Sequence, residues 1–87
     1  MPIHKVCSVR DRAADVYGRP FFTPSTGVAI RSFTDHINSK DDSEIVKHPK
    51  DFELYLLGDY DDETGKFECL TAPRMLARGE DVKQSES

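Results

Sequence analysis

Arg19-Pro-Phe-Phe-Thr-Pro-Ser-Thr-Gly-Val-Ala-Ile-Arg-Ser-Phe-Thr-Asp-His-Ile-Asn38 is the stretch whose reading decides the fold. The Thr23 side chain can accept from the free N–H groups of a first helical turn, and Pro24 then sits where a missing N–H costs nothing. Ser25 or Thr26 can cap a start up to two residues later. Ala29, Phe33 and Ile37 recur every four positions and Ile30 precedes Phe33 by three, so one apolar stripe runs along the helix. Arg31, Asp35 and Asn38 fall off that stripe, towards water. No other segment combines a start signal with helical spacing. This helix is therefore expected to cover whatever sheet the remainder builds.

The flanking segments read as strands. Ile3 to Arg12 is rich in β-branched residues, with Ile3, Cys7 and Val9 on one alternating face and Val6 on the other. Val16-Tyr17 and Phe21-Phe22 form a second extended segment interrupted at Gly18-Arg19-Pro20. Pro20 cannot donate to a ladder, so that segment belongs at an edge or kinks there. Beyond the helix, Ser39 to Asp51 is polar, ends in His48-Pro49, and reads as a loop. Phe52 to Tyr60 alternates, with Phe52, Leu54 and Leu56 on one face and Glu53, Tyr55 and Leu57 on the other. Asp61 to Gly65 is a turn in which Gly65 supplies a positive φ, and Lys66 to Leu70 returns as a strand. Thr71 to Gly79, with Pro73 inside it, reads as irregular chain from which Met75-Leu76 docks on the core.

The expected fold is α+β: a small antiparallel sheet of about four strands, arranged as two hairpins, with one helix on one face in ββαββ order. Residues 1–79 make the single domain and 80–87 a polar tail without fixed structure. The expected core is Ile3, Val6, Val9, Val16, Phe21, Phe22, Ile30, Phe33, Ile37, Phe52, Leu54, Leu56 and Phe67. With 87 residues, 37% hydrophobic and without tryptophan, that core is thin. A homodimer that shares burial is therefore expected.

Charge and composition narrow the function. The net charge of −4 argues against a purely electrostatic nucleic-acid binder. Its distribution is uneven: residues 1–40 hold six basic and three acidic side chains, whereas 41–87 hold six basic and thirteen acidic. Two distant cysteines, Cys7 and Cys69, read as reduced core thiols, and no apolar run is long enough to span a bilayer. The chain is expected to be soluble and intracellular.

Site chemistry is sparse. His4, His36 and His48 lack the short spacings of a zinc site, and the two cysteines form no Cys-x-x-Cys pair. Asp59 to Gly65 resembles a calcium loop only superficially, since Thr64 would occupy the glycine position and Leu70 the bidentate glutamate. The five glycines are isolated, so no phosphate-cradling loop is present, and no nucleophile elbow occurs. Neither an enzyme nor a cofactor is expected. Arg10, Arg12, Arg19 and Arg31, interleaved with Tyr17, remain as candidates for contacting phosphates and stacking bases of a single strand.

Three segments carry a family resemblance. Lys5-Val-Cys-Ser-Val-Arg-Asp-Arg12, Gly27-Val-Ala-Ile-Arg-Ser-Phe33 and His48-Pro-Lys-Asp-Phe-Glu-Leu-Tyr-Leu-Leu-Gly-Asp-Tyr-Asp-Asp-Glu-Thr-Gly65 together resemble the small non-structural protein of gokushoviruses, single-stranded-DNA phages of the microvirus family. The resemblance implies a non-enzymatic, DNA-binding accessory of single-stranded genome replication and packaging, acting in the host cytoplasm on DNA or on the replication complex. An acidic module that docks on a host or phage replication protein through Asp59–Glu63, without nucleic acid, is the alternative.

Overall fold

The computed structural model describes residues 3–84. Five antiparallel strands form one sheet: β1 (Ile3–Asp11), β2 (Val16–Tyr17), β3 (Phe21–Thr23), β4 (Phe52–Asp61) and β5 (Lys66–Arg78). The strand order is β2-β1-β4-β5, and β3 also pairs with β1. β1 meets β4 along its whole length, Ile3 opposite Asp61 and Asp11 opposite Phe52. Its other edge holds β3 beside Lys5–Cys7 and β2 beside Arg10–Asp11. β2 and β3 are thus two pieces of one edge strand, broken at Gly18-Arg19-Pro20 as the proline requires. The break is itself fastened: Gly18 donates from its N–H to the Val9 carbonyl at 2.8 Å, and the buried Ser8 hydroxyl donates to the Gly18 carbonyl at 2.7 Å.

The long helix α1 spans Thr26–Ile37. Its cap is Ser25, whose backbone is extended and whose hydroxyl accepts from the Val28 N–H at 3.2 Å. The later of the expected starts is therefore the real one. Thr23 is instead the last residue of β3, and its hydroxyl donates to the Ser25 carbonyl. Ala29, Phe33 and Ile37 are buried as the spacing requires. They pack against Cys7, Leu54 and Leu56, with Val9, Phe21, Phe52, Leu76 and Ala77 around them.

Three expectations are corrected. The helix is not alone: α2 (Glu44–Lys47), a 3-10 turn (Pro49–Asp51) and α3 (Gly79–Val82) accompany it. α2 lies in the stretch that reads as a loop, and Ile45, at 9% exposure, anchors it in the core. α3 occupies the start of the expected unstructured tail. There Asn38, just past α1, donates from its amide to the Val82 carbonyl and accepts from the Gln84 N–H at 2.7 Å. Residues 85–87 of that tail lie outside the described residues. Second, β5 does not stop at Leu70 but continues to Arg78. It passes Pro73 by a register shift, from Cys69 opposite Gly58 to Arg74 opposite Leu56. An edge strand tolerates such a bulge because its outer backbone groups face water.

Third, the core is smaller than expected on one side of the sheet. Phe22 and Phe67 are 53% and 55% exposed, and Ile3 and Val16 are exposed with them. Cys7, Ala29, Ile45 and the partly buried Leu76, Ala77 and Val82 take part instead. Covering elements lie against one face only, so Phe22 and Phe67, on the opposite face, stay open, whereas Ile3 and Val16 share the face of Cys7 and are exposed at the margins of the sheet.

At Gly58, β4 leaves no room for a side chain against β5. A Cβ there would lie 2.3 Å from the Glu68 carbonyl oxygen and 2.7 Å from the Cys69 Cα. Gly27 in α1 has open space, with the nearest atom, the Ser25 hydroxyl, at 3.8 Å. Alanine at the two positions should act with opposite sign. Gly58→Ala is expected to destabilise by about 1–3 kcal/mol through backbone displacement. Gly27→Ala should stabilise by about 0.5–1 kcal/mol through helix entropy. Urea unfolding of the two variants measures both; a neutral Gly58→Ala would show that the strands can part without cost.

Candidate functional site

The sheet face turned away from α1 is built in rows by the strand register. One end carries His4, Tyr60 and Phe67 on β1, β4 and β5; the other carries Tyr17, Arg10, Glu53 and Arg78 on β2, β1, β4 and β5. Between them lie Val6, Gly58 and Cys69, then Ser8, Tyr55 and Met75. No helix covers these side chains, so aromatic groups that would complete a core in a two-layer fold are presented outward.

At the hairpin end the rings cluster. Tyr60 and Phe67 centroids are 4.7 Å apart, Phe22 and Tyr60 5.3 Å, and Phe22 and Phe67 6.2 Å, all tilted. Beside them an apolar cavity of about 390 Å³ is lined by Pro20, Phe22, Leu57, Phe67 and Cys69, with Val6 and Gly58 among its walls.

At the opposite end Tyr17 and Tyr55 meet edge to face at 5.5 Å. The Arg10 guanidinium carbon lies 6.0 Å from the Tyr17 ring centroid, within cation–π range. Glu53, only 6% exposed, organises the neighbourhood. It accepts from the Tyr55 hydroxyl at 3.3 Å and faces Arg10 at 3.5 Å and Arg12 at 3.9 Å. A buried carboxylate needs such cationic partners. Arg10 also donates to Asp15, a contact that holds its guanidinium protonated beyond the usual range. Asp15 reaches it from a left-handed backbone, φ 58°, in the β1–β2 turn. Burial, and then the Glu53 charge, push the Tyr55 phenol up.

The five sequence candidates therefore part company. Arg10, Arg12 and Tyr17 come together around Glu53. Arg19 is exposed in the break between β2 and β3, and among the described residues it joins no ion pair. Arg31 is on the outer side of α1, across the sheet from Tyr17, and does not belong to the same surface. Arg10 and Arg12 already face carboxylates, which lowers their reach for phosphate. Tyr55 and Arg78 were not among the candidates, yet Arg78 completes the row and Tyr55 stands in the row beside it. The alternation of β4 already put Tyr55 with Glu53 opposite Leu54. Arg78 was hidden in the segment read as irregular.

Other chemistries find little here. Among the described residues, no three His, Cys, Asp or Glu side chains gather closely enough to hold a metal ion. Among the described residues no helix is long and apolar enough to cross a membrane. The three histidines each face a single carboxylate, His4 Asp62 at 2.7 Å, His36 Asp41 at 3.1 Å and His48 Glu44 at 3.7 Å.

A family model described as Phage ORF5 protein matches residues 4–82. The chain belongs to this phage family. No curated protein and no solved structure gives a significant match. The ORF5 match takes in all of the strands and helices described above except Ile3, so both the covered core and the open face belong to the family region.

The two cysteines of this ORF5-family chain differ sharply in reactivity. Only Cys7 is the fully buried core thiol expected; Cys69, expected in the core as well, is exposed because it lies on the uncovered face of the edge strand β5. Burial raises the Cys7 pKa above its usual value near 9.0, only partly opposed by Lys5. The folded protein thus favours the neutral thiol; that contribution is intact below the unfolded pKa and is lost as pH climbs through the folded one. At mildly alkaline pH a chromogenic disulfide reagent should modify Cys69 ahead of Cys7, which is spared until denaturant is added. Two thiols reacting together in the native protein would contradict this burial.

Proposed function

We propose that this member of the Phage ORF5 family is a non-enzymatic accessory protein of single-stranded genome replication and packaging. It contacts single-stranded DNA through the Tyr17–Tyr55 end of the open sheet face. The observation that carries the reading is the row Tyr17–Arg10–Glu53–Arg78 with Tyr55 beside it. This row sets two tyrosine rings and exposed guanidinium groups on a surface that no element covers. Aromatic faces stack bases without regard to sequence, and arginine forks bind the intervening phosphates. The resemblance to gokushovirus non-structural proteins supports the same role.

Arg19 and Arg78 supply the free positive charge in this scheme, while Arg10 and Arg12 hold Glu53 and orient Tyr17. Anisotropy of a labelled single strand of ~20 nucleotides, titrated at low and at physiological salt, tests it. Two phosphate contacts give a slope of about −1.4 in log K against log salt. Tyr17→Ala should weaken binding by about 1–3 kcal/mol, and Arg31→Ala should leave it unchanged. Absence of binding at low salt overturns direct contact.

The acidic hairpin favours a second reading. Asp59, Asp61, Asp62, Glu63 and Glu68 gather at the far end of β4 and β5, a surface suited to a basic protein rather than to phosphates. A nuclease-insensitive protein partner recovered from infected cells, lost on neutralising Asp62 and Glu63, would select that reading.

A further inference from the structure

We propose that the open sheet face is a homodimer interface, in which two copies pack face to face about a two-fold axis crossing their strands. The inference goes beyond the nucleic-acid reading and does not depend on it.

The first argument is apolar area. Phe22, Phe67, Tyr17 and Met75 are all exposed on this face, beside the 390 Å³ cavity. A chain whose core is built on one side of its sheet gains most by burying the other. The molecule measures 47 Å by 26 Å in its two longer dimensions, so the face offers at most about 1,200 Å², against roughly 800 Å² per partner in a standard interface.

The second argument is complementarity within the face. An isologous interface requires that one end of the patch fit the other end of the same patch. Here one end is an aromatic cluster, Tyr60 and Phe67 with Phe22, and the other bears Arg78 and Arg10. Among the described residues Arg78 has no carboxylate partner; its Nε lies 3.5 Å from the Met75 sulfur on the same strand. A guanidinium without a counter-ion and a ring cluster without a cation suit one another.

Complementarity also chooses the axis. A two-fold parallel to the strands would set each row against its like, with Arg10 and Arg78 of one copy over Arg78 and Arg10 of the other. A two-fold across the strands reverses the rows instead. Each strand then faces its own counterpart running oppositely. Arg78 meets the second copy's Phe67, and Cys69 meets the second copy's Met75. Sheets packed in this way lie about 10 Å apart. With the axis between the Cys69 and Met75 rows, the two Cys69 Cα atoms fall about 12 Å apart, within reach of a short bis-maleimide.

A face occupied by a second copy cannot hold a strand of DNA. Where both proposals hold, single-stranded DNA shifts the equilibrium towards monomer.

Sedimentation equilibrium of the full chain over a wide concentration range, with bis-maleimide cross-linking through Cys69, tests the interface. The expected result is a concentration-dependent dimer that cross-links. Phe67→Asp and Arg78→Glu should each weaken the dimer at least tenfold and abolish the cross-link, while far-UV circular dichroism stays unchanged. Monomer mass throughout overturns the proposal and leaves the face to a foreign partner. So does a dimer indifferent to both substitutions, or one that never cross-links. The anisotropy titration reports on DNA separately, so loss of strand binding with the dimer intact removes only the nucleic-acid reading.

Discussion

The constraint on which the rest depends is one of length. A twelve-residue helix extends about 18 Å, whereas the ten residues of β4 extend about 33 Å. α1 therefore covers part of one face of the sheet and none of the other. The buried apolar cluster is concentrated where the helix lies: Cys7, Leu54 and Leu56 beneath Ala29, Phe33 and Ile37. α2 and α3 extend this cover by one turn each, through Ile45 and Val82. Beyond them the β4–β5 hairpin stands largely free, which gives the elongated shape of 47 × 26 × 19 Å.

Two features follow from that limit. The exposed hairpin must be held by strand pairing itself, and Gly58 makes this close, because any side chain there would strike the backbone of β5. The uncovered face must also come to terms with water. It does so unevenly. The row around Glu53 is polar and cross-linked by Arg10, Arg12 and Tyr55, whereas the Phe22–Tyr60–Phe67 cluster remains apolar and open. Function in this phage family member is most economically sought on that face, where a rigid sheet presents side chains that the fold does not need.

The edges show how the chain avoids uncontrolled pairing. The β2–β3 edge is broken at Gly18-Arg19-Pro20, and β5 is bulged at Pro73. Each break removes a ladder donor or bends the strand, which blunts an edge that would otherwise template another chain.

Particular residues show what the sequence determined by itself. The periodicity of Ala29, Phe33 and Ile37 fixed α1, the proline at position 20 fixed an interrupted edge strand, and Gly65 fixed the hairpin turn, because these signals are local and act within a few residues. Tertiary structure alone decided the rest. Phe22 and Phe67 read as core residues, since apolarity does not reveal which face of a strand a distant helix will cover. β5 continues past Pro73 because Leu54, Tyr55 and Leu56 hold its second half in register across the sheet. α3 forms because Asn38, more than forty residues away, receives it. Of the candidate site, Arg10, Arg12 and Tyr17 were legible as a cluster, but the buried Glu53 that gathers them, the exclusion of Arg31 and the inclusion of Tyr55 and Arg78 arise from strand register. Register is a long-range pairing, and no short stretch of sequence carries it.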